Sequence, residues 1–317
     1  MAQPTNLLSV FDIGSVAGSS NKESVFEAIQ NIAPWDTPWF SSAPKVPVSL
    51  ITFEWLTDTL SAVATGGAEE GVIVVAAARA NRTRRLNNTQ IFLSGVDVSD
   101  SQIAASPYGI SGEYPYQVAL TMRELARNIE SRAWINSGFE RVAPTGGEAT
   151  VRITASLRAT GWGTPTNTAV NGAISTGAVE STFEAIVLLG GNPDKLFCSL
   201  GVKSDFSQAA QASGGTNRLF NIAAADKRLI ANVTVYEGNH GTLVVVPDKF
   251  IGQSSATLDG HAAGLIESAR MKVGMYRPMK HVPLAKVGDS TRGYVVTELG
   301  FINLHASAHG FLTGLTT

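Results

Sequence analysis

Residues that could do chemistry are few in this 317-residue chain, and they are scattered. His305 and His309 stand four apart, a spacing that on a helix puts two metal ligands on one face. They lie in sequence that reads as strand and loop, so ordinary core or surface histidines are expected there. His240, His261 and His281 have no cysteine cluster and no carboxylate pair at ligand spacing beside them. Gly288-Asp289-Ser290 sets an acid next to a hydroxyl, but neighbours in a chain point apart and no histidine is specified to complete a relay, so a turn is the reading. The chain has no GxxxxGK[ST] loop, no GxGxxG after a strand, no HExxH and no GxSxG elbow. A lone cysteine, Cys198, excludes an internal disulfide and a multi-cysteine zinc site and suits a reducing compartment. No catalytic residue, metal or cofactor is expected, and the chain does not read as an enzyme.

Two groups of side chains remain. Arg79, Arg82, Arg84 and Arg85 form the one concentrated basic patch. A solvated hairpin edge would use such charges to discourage unwanted strand pairing. Guanidinium groups also make bidentate pairs with carboxylates across subunit interfaces, and a third use is contact with nucleic-acid phosphates. Trp35, Trp39, Phe40, Phe53 and Trp55 are clustered on extended-looking segments. Burial in their own subunit and anchoring at an interface both fit aromatics of this kind. Arg79, Arg82, Arg84, Arg85, Trp35, Trp39 and Phe40 are carried forward as candidate intersubunit contacts.

The elements that must position them centre on Gly112 to Gly138. Val118, Met122, Leu125, Ile129 and Ala133 recur at spacings of three and four, while Arg123, Glu124, Arg127, Glu130 and Arg132 occupy the other faces. This predicts an amphipathic spine helix, with Pro115 in its first turn and Gly138 as its stop, packed on a sheet. Upstream, Ser20 and Glu23 match a capping box for a short helix ended by Pro34, and the prolines of Asn31 to Phe40 argue against helix there. Ser49 to Ala62 alternates as a strand. Thr65 to Gly71 is a flexible tip, and Val72 to Val75 with Gln90 to Ser94 reads as the return strand of a long hairpin. Such a hairpin cannot bury both faces in its own subunit and is expected to lean on a neighbour. Ala143 to Asn171 reads as loop and short strand. Downstream, Glu180 to Leu189 reads as a helix stopped by Gly190-Gly191, Lys195 to Ser199 as a buried strand and Asp205 to Ala212 as a helix. Asn232 to Tyr236 with Thr242 to Pro247 reads as an antiparallel pair, and Val273 to Met279 and Gly293 to Leu304 as strands joining the sheet under the spine.

Composition fits a globular α+β protein long enough for two cores, with a formal net charge of −2 that supplies no global field for gripping nucleic acid or an anionic membrane. No apolar run approaches the ~20 residues needed to span a bilayer, and the N-terminus lacks a charged region followed by an apolar one. No repeat or linker separates the two lobes, so the second is read as an insertion.

The order of these pieces resembles the major capsid proteins of tailed phages with the Hong Kong 97 fold, in the short subgroup without a fused scaffolding domain. Asn31 to Phe40 (NIAPWDTPWF) looks like that subgroup's arm motif, and Phe53-Glu54-Trp55 with Thr57-Asp58 and Leu60 like its following strand. Tyr116-Gln117, Glu124-Leu125 and Arg127 through Glu130 look like its spine helix. Gly191 with Pro193-Asp194, Gly241 with Val246-Pro247, and Gly288-Asp289-Ser290 with Glu298 continue the match.

The resemblance implies an N-terminal arm (1–45), an extended hairpin loop (46–105), a peripheral domain on the spine helix (106–160), an axial domain (161–265) and C-terminal peripheral strands (266–317). It implies self-assembly as hexamers and pentamers into an icosahedral shell around double-stranded DNA, held without sequence-specific binding. An encapsulin-like compartment is the alternative with the same fold. A portal protein, a separate scaffolding protein and cement proteins are the implied partners, with no membrane. The virion capsid, assembled in the host cytoplasm, is the implied location.

Overall fold

The computed structural model describes residues 37–60, 70–71, 81–105, 112–135, 140–142, 151–159, 166–212, 233–251, 261–286 and 288–316. A short helix, α1 (Pro38–Ser42), leads into β1 (Lys45–Pro47) and then a two-stranded hairpin of β2 (Thr52–Thr57) and β3 (Thr83–Asn88). After β4 (Gln90–Ser99) and α2 (Asp100–Ala104) comes the spine helix α3 (Glu113–Trp134). At ~1.5 Å per residue its 22 residues make a rod of roughly 33 Å.

α3 lies on a four-stranded sheet of order β1-β12-β13-β4, where β12 is Met271–Pro283 and β13 is Ser290–Asn303. The expected apolar stripe faces that sheet: Leu125, Ile129 and Ala133 are buried, and Val118 and Met122 pack against the same core. The helix ends at Trp134, short of Gly138, which lies outside the described residues. Its end is closed by the chain folding back, with Leu157 N donating to Ala133 O at 2.9 Å and Arg132 donating to Thr154 O.

A second, mixed sheet has the order β7-β14-β11-β8-β10-β9, with β7 Thr166–Gly172, β8 Lys195–Cys198, β9 Val235–Glu237, β10 Thr242–Pro247, β11 Ala263–Ile266 and β14 Gly310–Leu315. Helices α4 (Thr176–Leu188) and α5 (Leu200–Ala212) accompany it, and Val179, Phe183, Ile186, Leu196, Val202 and Phe206 fill its core. Gly190, at φ +86°, turns the chain after α4 in the left-handed region a glycine permits.

Four expectations need correction. The return strand of the hairpin is Thr83–Asn88, paired with β2 from Thr52↔Asn88 to Thr57↔Thr83, while Gln90–Ser94 belongs to β4 and pairs with β13. Val72–Val75 and the capping box at Ser20 lie outside the described residues. The prolines before Phe40 do not preclude a helix, because Pro38 opens α1 at a position whose N–H has no helical partner anyway. The second lobe is not a simple insertion: the last strand, β14, returns to its sheet and pairs with β11 and β7, so the stretch 266–317 feeds both sheets. Finally, Glu130 is not on the solvent face of the spine but fully buried.

Candidate assembly surface

Strand alternation sorts the arginine cluster into two faces of the hairpin. Arg82 and Arg84 share one face with Glu54, Leu56 and Asp58. Arg84 Nε donates to Glu54 Oε2 at 2.6 Å, and Arg82 Nε lies 3.5 Å from Asp58 Oδ2. Both pairs are largely solvent-exposed, so each contributes little to the stability of the lone subunit. Arg85 stands on the other face, opposite Trp55 in register. There it lines a cleft of about 140 Å³ with Thr57, Thr83 and His305. Burial, followed by the Arg270 and Arg85 charges, lowers the His305 pKa. Arg79 lies outside the described residues.

The hairpin has a buried root and an exposed outer end. At the root, the Phe53 ring stacks beside Trp55 with centroids 6.1 Å apart, and Asn87, Asn88 and Thr89 are buried. Farther out, Leu56 is 62% exposed and Leu60 is 95% exposed, and both stay apolar in solvent in the isolated chain. The root is tied to the first sheet by Glu298 on β13, itself 2% exposed. Its carboxylate accepts hydrogen bonds of 2.8 Å from Thr89 Oγ1, Arg152 Nη2 and Arg277 Nε.

The candidate aromatics separate. Trp39 is buried in its own subunit, edge-on to Phe301 at 5.4 Å and to Trp134 at 6.3 Å. Of the two uses left open for it, the structure places it in the core, where it seats the chain from within. Phe40 is half-buried against the same core and carries Lys45 Nζ 5.0 Å above its ring. Trp35 lies outside the described residues.

The seat for Trp39 and Phe40 was missed in the sequence. Glu130 Oε1 accepts from Trp39 N at 2.9 Å and Oε2 from Phe40 N at 2.8 Å, capping α1, whose own Thr37 makes no side-chain cap. Burial, with Asp248 hydrogen-bonded beside it, raises the Glu130 pKa well above the usual carboxylate range. A glutamate within one turn of Trp134 and next to Ile129 carried a faint signal, since Glu130 flanks the apolar stripe.

Among the described residues no group of three or more His, Cys, Asp or Glu is placed to hold a metal ion. His305 and His309 bracket a 3-10 turn, Ala306–Ala308, and His309 Nδ1 is taken by the backbone N–H of Glu267 at 3.2 Å. No helix among the described residues is long and apolar enough to cross a membrane.

The arrangement is a hairpin anchored at its root, with Leu56, Leu60, Arg82 and Arg84 exposed toward its outer end. A family model described as SU10 major capsid protein matches residues 9–316. The major capsid protein of Escherichia phage Phieco32 is 30% identical over 131 residues, a stretch covering 41% of this chain and 36% of that protein. The match thus spans about a third of that relative's length. Among solved structures, the Cyanophage A-1(L) capsid asymmetric unit superposes with a TM-score of 0.70 at 12% identity, covering 94% of this chain and 98% of that one. A structure from Gordonia phage Cozz gives 0.60 at 14% identity, covering 100% and 98%. The holo-SrpI encapsulin complex from Synechococcus elongatus PCC 7942 gives 0.56 at 12% identity, covering 93% and 92%. At these identities the likeness is one of fold. The chain belongs to the SU10 major capsid protein family and has the Hong Kong 97-type capsid fold.

Proposed function

We propose that copies of this chain assemble as hexamers and pentamers into an icosahedral shell that encloses packaged double-stranded DNA. The observation that carries this reading is the hairpin, whose outer end leaves Leu56 and Leu60 exposed beside the ion-paired Arg82 and Arg84. Apolar side chains on a projecting ribbon find burial on a neighbour, and charge pairs at their rim set register more than affinity. The arginine cluster and Phe40, with Arg79 and Trp35, are the proposed intersubunit contacts, and the segments 1–45 and 46–105 the proposed arm and hairpin loop. A heterologous contact repeated until it closes yields the shell, and modest individual interfaces let errors dissociate. The formal net charge of −2 suits a wall against which DNA packs without sequence-specific grip. A portal protein, a separate scaffolding protein and cement proteins are the proposed partners, with assembly in the host cytoplasm.

The encapsulin-like alternative rests on the likeness of fold to the holo-SrpI complex. Negative-stain electron microscopy of the chain, expressed alone and with the neighbouring phage genes, separates the readings. Shells or capsomer rings support assembly. Nuclease-protected DNA inside favours the capsid, and enclosed protein favours the compartment. A uniform monomer under both conditions would overturn both. Changing Arg79, Arg82, Arg84 and Arg85 together to Ala is expected to lower particle yield with the subunit still folded.

A further inference from the structure

The hairpin face that carries Thr57, Thr83 and Arg85 lies against the 3-10 turn that follows β13, and the cleft of about 140 Å³ separates them. Its walls supply the Arg85 guanidinium, the His305 imidazole, the hydroxyls of Thr59, Thr83 and Ser307, and the Asn81 carboxamide. Among the described residues no carboxylate lines it. The acids nearby are engaged elsewhere. Glu54 and Asp58 meet Arg84 and Arg82 on the opposite face of the hairpin. Glu267 accepts from Arg270 Nε at 2.8 Å with one oxygen and from Asn192 N at 3.1 Å with the other.

We propose that this cleft binds a free tetrahedral oxyanion of the phosphate class, held by Arg85 and by neutral donors from the hairpin on one side and the 305–307 turn on the other. The donor set selects the charge. A guanidinium fork matches the oxygens of an oxyanion, and hydroxyls and a carboxamide donate without bringing a competing anion. Thr57, which also lines the cleft, spends its proton on the Thr83 carbonyl at 3.2 Å and stays outside that set. His305 Nδ1 is enclosed and has no hydrogen-bond partner among the described residues, a state that buried polar atoms rarely keep.

The local field has the matching sign. After burial, the charges of Arg270 and Arg85 are what disfavour a proton on His305, and the opposing effect of Glu267 is smaller than either. A position where neighbouring charges disfavour a cation favours an anion. Size selects the ligand, because the cleft is well below the ~300–1,000 Å³ of pockets for drug-sized molecules. It suits one oxyanion and not the sugars that flank a phosphodiester. The turn joins β13 of the first sheet to β14 of the second, so the bound ion ties the hairpin to the crossing between the sheets.

Titration of the full, unassembled chain with inorganic phosphate, at about pH 7 and at an ionic strength held constant with chloride, tests this. NMR follows the Arg85 Nε–H and the His305 ring. Shifts that saturate at both residues are expected, with a Kd on the order of 1–10 mM. Arg85→Gln is expected to weaken phosphate by about tenfold or more, and Ser307→Ala, which leaves the hairpin untouched, by about threefold to fivefold. Arg292→Gln removes an equal charge near the far end of β13 and is expected to bind as the wild type does. Shifts that grow without saturation overturn the proposal, as does equal weakening in Arg292→Gln and Arg85→Gln. Wild-type affinity in Arg85→Gln overturns it too; if circular dichroism shows that variant misfolded, wild-type affinity in Ser307→Ala does the same. A short DNA duplex that shifts Arg85 and His305 where inorganic phosphate does not would also overturn it, by making the occupant a nucleic-acid backbone. The titration reads one subunit, so it stands or fails separately from the assembly reading. Only the consequence, that Arg85 brings a bound anion to any neighbour meeting the mouth of the cleft, rests on that reading.

Discussion

Asn87 on β3 and Phe301 on β13 are joined by a hydrogen bond of 2.7 Å from Asn87 Nδ2 to the Phe301 carbonyl, across 214 residues of chain. The same amide donates to Thr154 Oγ1 at 3.0 Å, and its oxygen accepts from Asn88 N at 2.8 Å and Ala155 N at 3.0 Å. One buried side chain thus welds the hairpin root to β13, an inner strand of the first sheet, and to the segment after β6 (Val151–Ile153). Asn87→Ala leaves those backbone groups buried without partners and is expected to lower the unfolding free energy by ~2–4 kcal/mol. Denaturant titration of the unassembled chain checks it. A loss under ~0.5 kcal/mol would show that the root is held by packing alone.

Gly300 marks how closely that root approaches the sheet. A Cβ there would lie 2.7 Å from Phe53 Cε1 and 2.8 Å from the Asn88 carbonyl oxygen. The ring can tilt, but the carbonyl belongs to paired backbone. Gly300→Ala is therefore expected to cost ~1–3 kcal/mol by overpacking and to lift the hairpin off β13. The check is a loss of exchange protection at Asn88 and Thr89 that leaves α4 and β8 protected. An unchanged protection pattern would contradict the close approach.

Periodicity made the spine legible, because Leu125, Ile129 and Ala133 repeat at helical spacing against one sheet. The turn after Tyr236 announced the pair β9–β10 in the same way. Pairings that join distant residues left no local trace, among them β1 with β12, β8 with β10 and β7 with β14, all parallel. The strand Thr83–Asn88 carries little apolar signal, so the apolar run at Val72–Val75 outranked it. Glu130 gave no more than a faint signal, for a different reason. A carboxylate on a helix reads as solvent-facing until the N–H groups that surround it are known, and those come from residues ~90 positions earlier in the chain. The two faces of the arginine cluster follow from strand alternation alone, but only once β3 is known to include them.

His309 and Glu130 set opposite pH responses. His309 is 0% exposed, and burial above all, then the Arg270 and His305 charges, lowers its pKa to about 3. Between about 3 and 6.5 the unfolded chain takes up a proton that the folded chain refuses, so this contribution to stability is lost as pH falls. Glu130 is raised, so from 4.5 upward the folded chain keeps a proton that the unfolded chain releases, and its contribution is lost as pH rises. From 4.5 to 6.5 the two slopes oppose each other. His309→Asn keeps an acceptor for Glu267 N and removes one of them. Its unfolding free energy, relative to wild type, is expected to fall by up to ~1.4 kcal/mol per pH unit on going from about pH 4.5 to about pH 6.5. Parallel wild-type and variant profiles would contradict a neutral, buried imidazole.

Glu298 holds the hairpin root by charge where Asn87 holds it by neutral hydrogen bonds. Arg152, on β6, and Arg277, on β12, both close on its carboxylate at 2.8 Å, and Thr89 Oγ1 completes the set. The carboxylate is buried, whereas the Arg277 side chain is 42% exposed. Removing the acid strands two guanidinium groups, one of them with little water to turn to, so Glu298→Ala is expected to cost ~3–5 kcal/mol. Removing Arg277 leaves the carboxylate paired with Arg152 and hydrogen-bonded to Thr89, and solvent screens what is lost, so Arg277→Ala is expected to cost ~1 kcal/mol. A double-mutant cycle on the unassembled chain isolates the pair, with an expected coupling of ~1–2 kcal/mol. Equal costs for the two single variants would contradict the asymmetry in burial, because they would make the outer arginine as indispensable as the acid it meets.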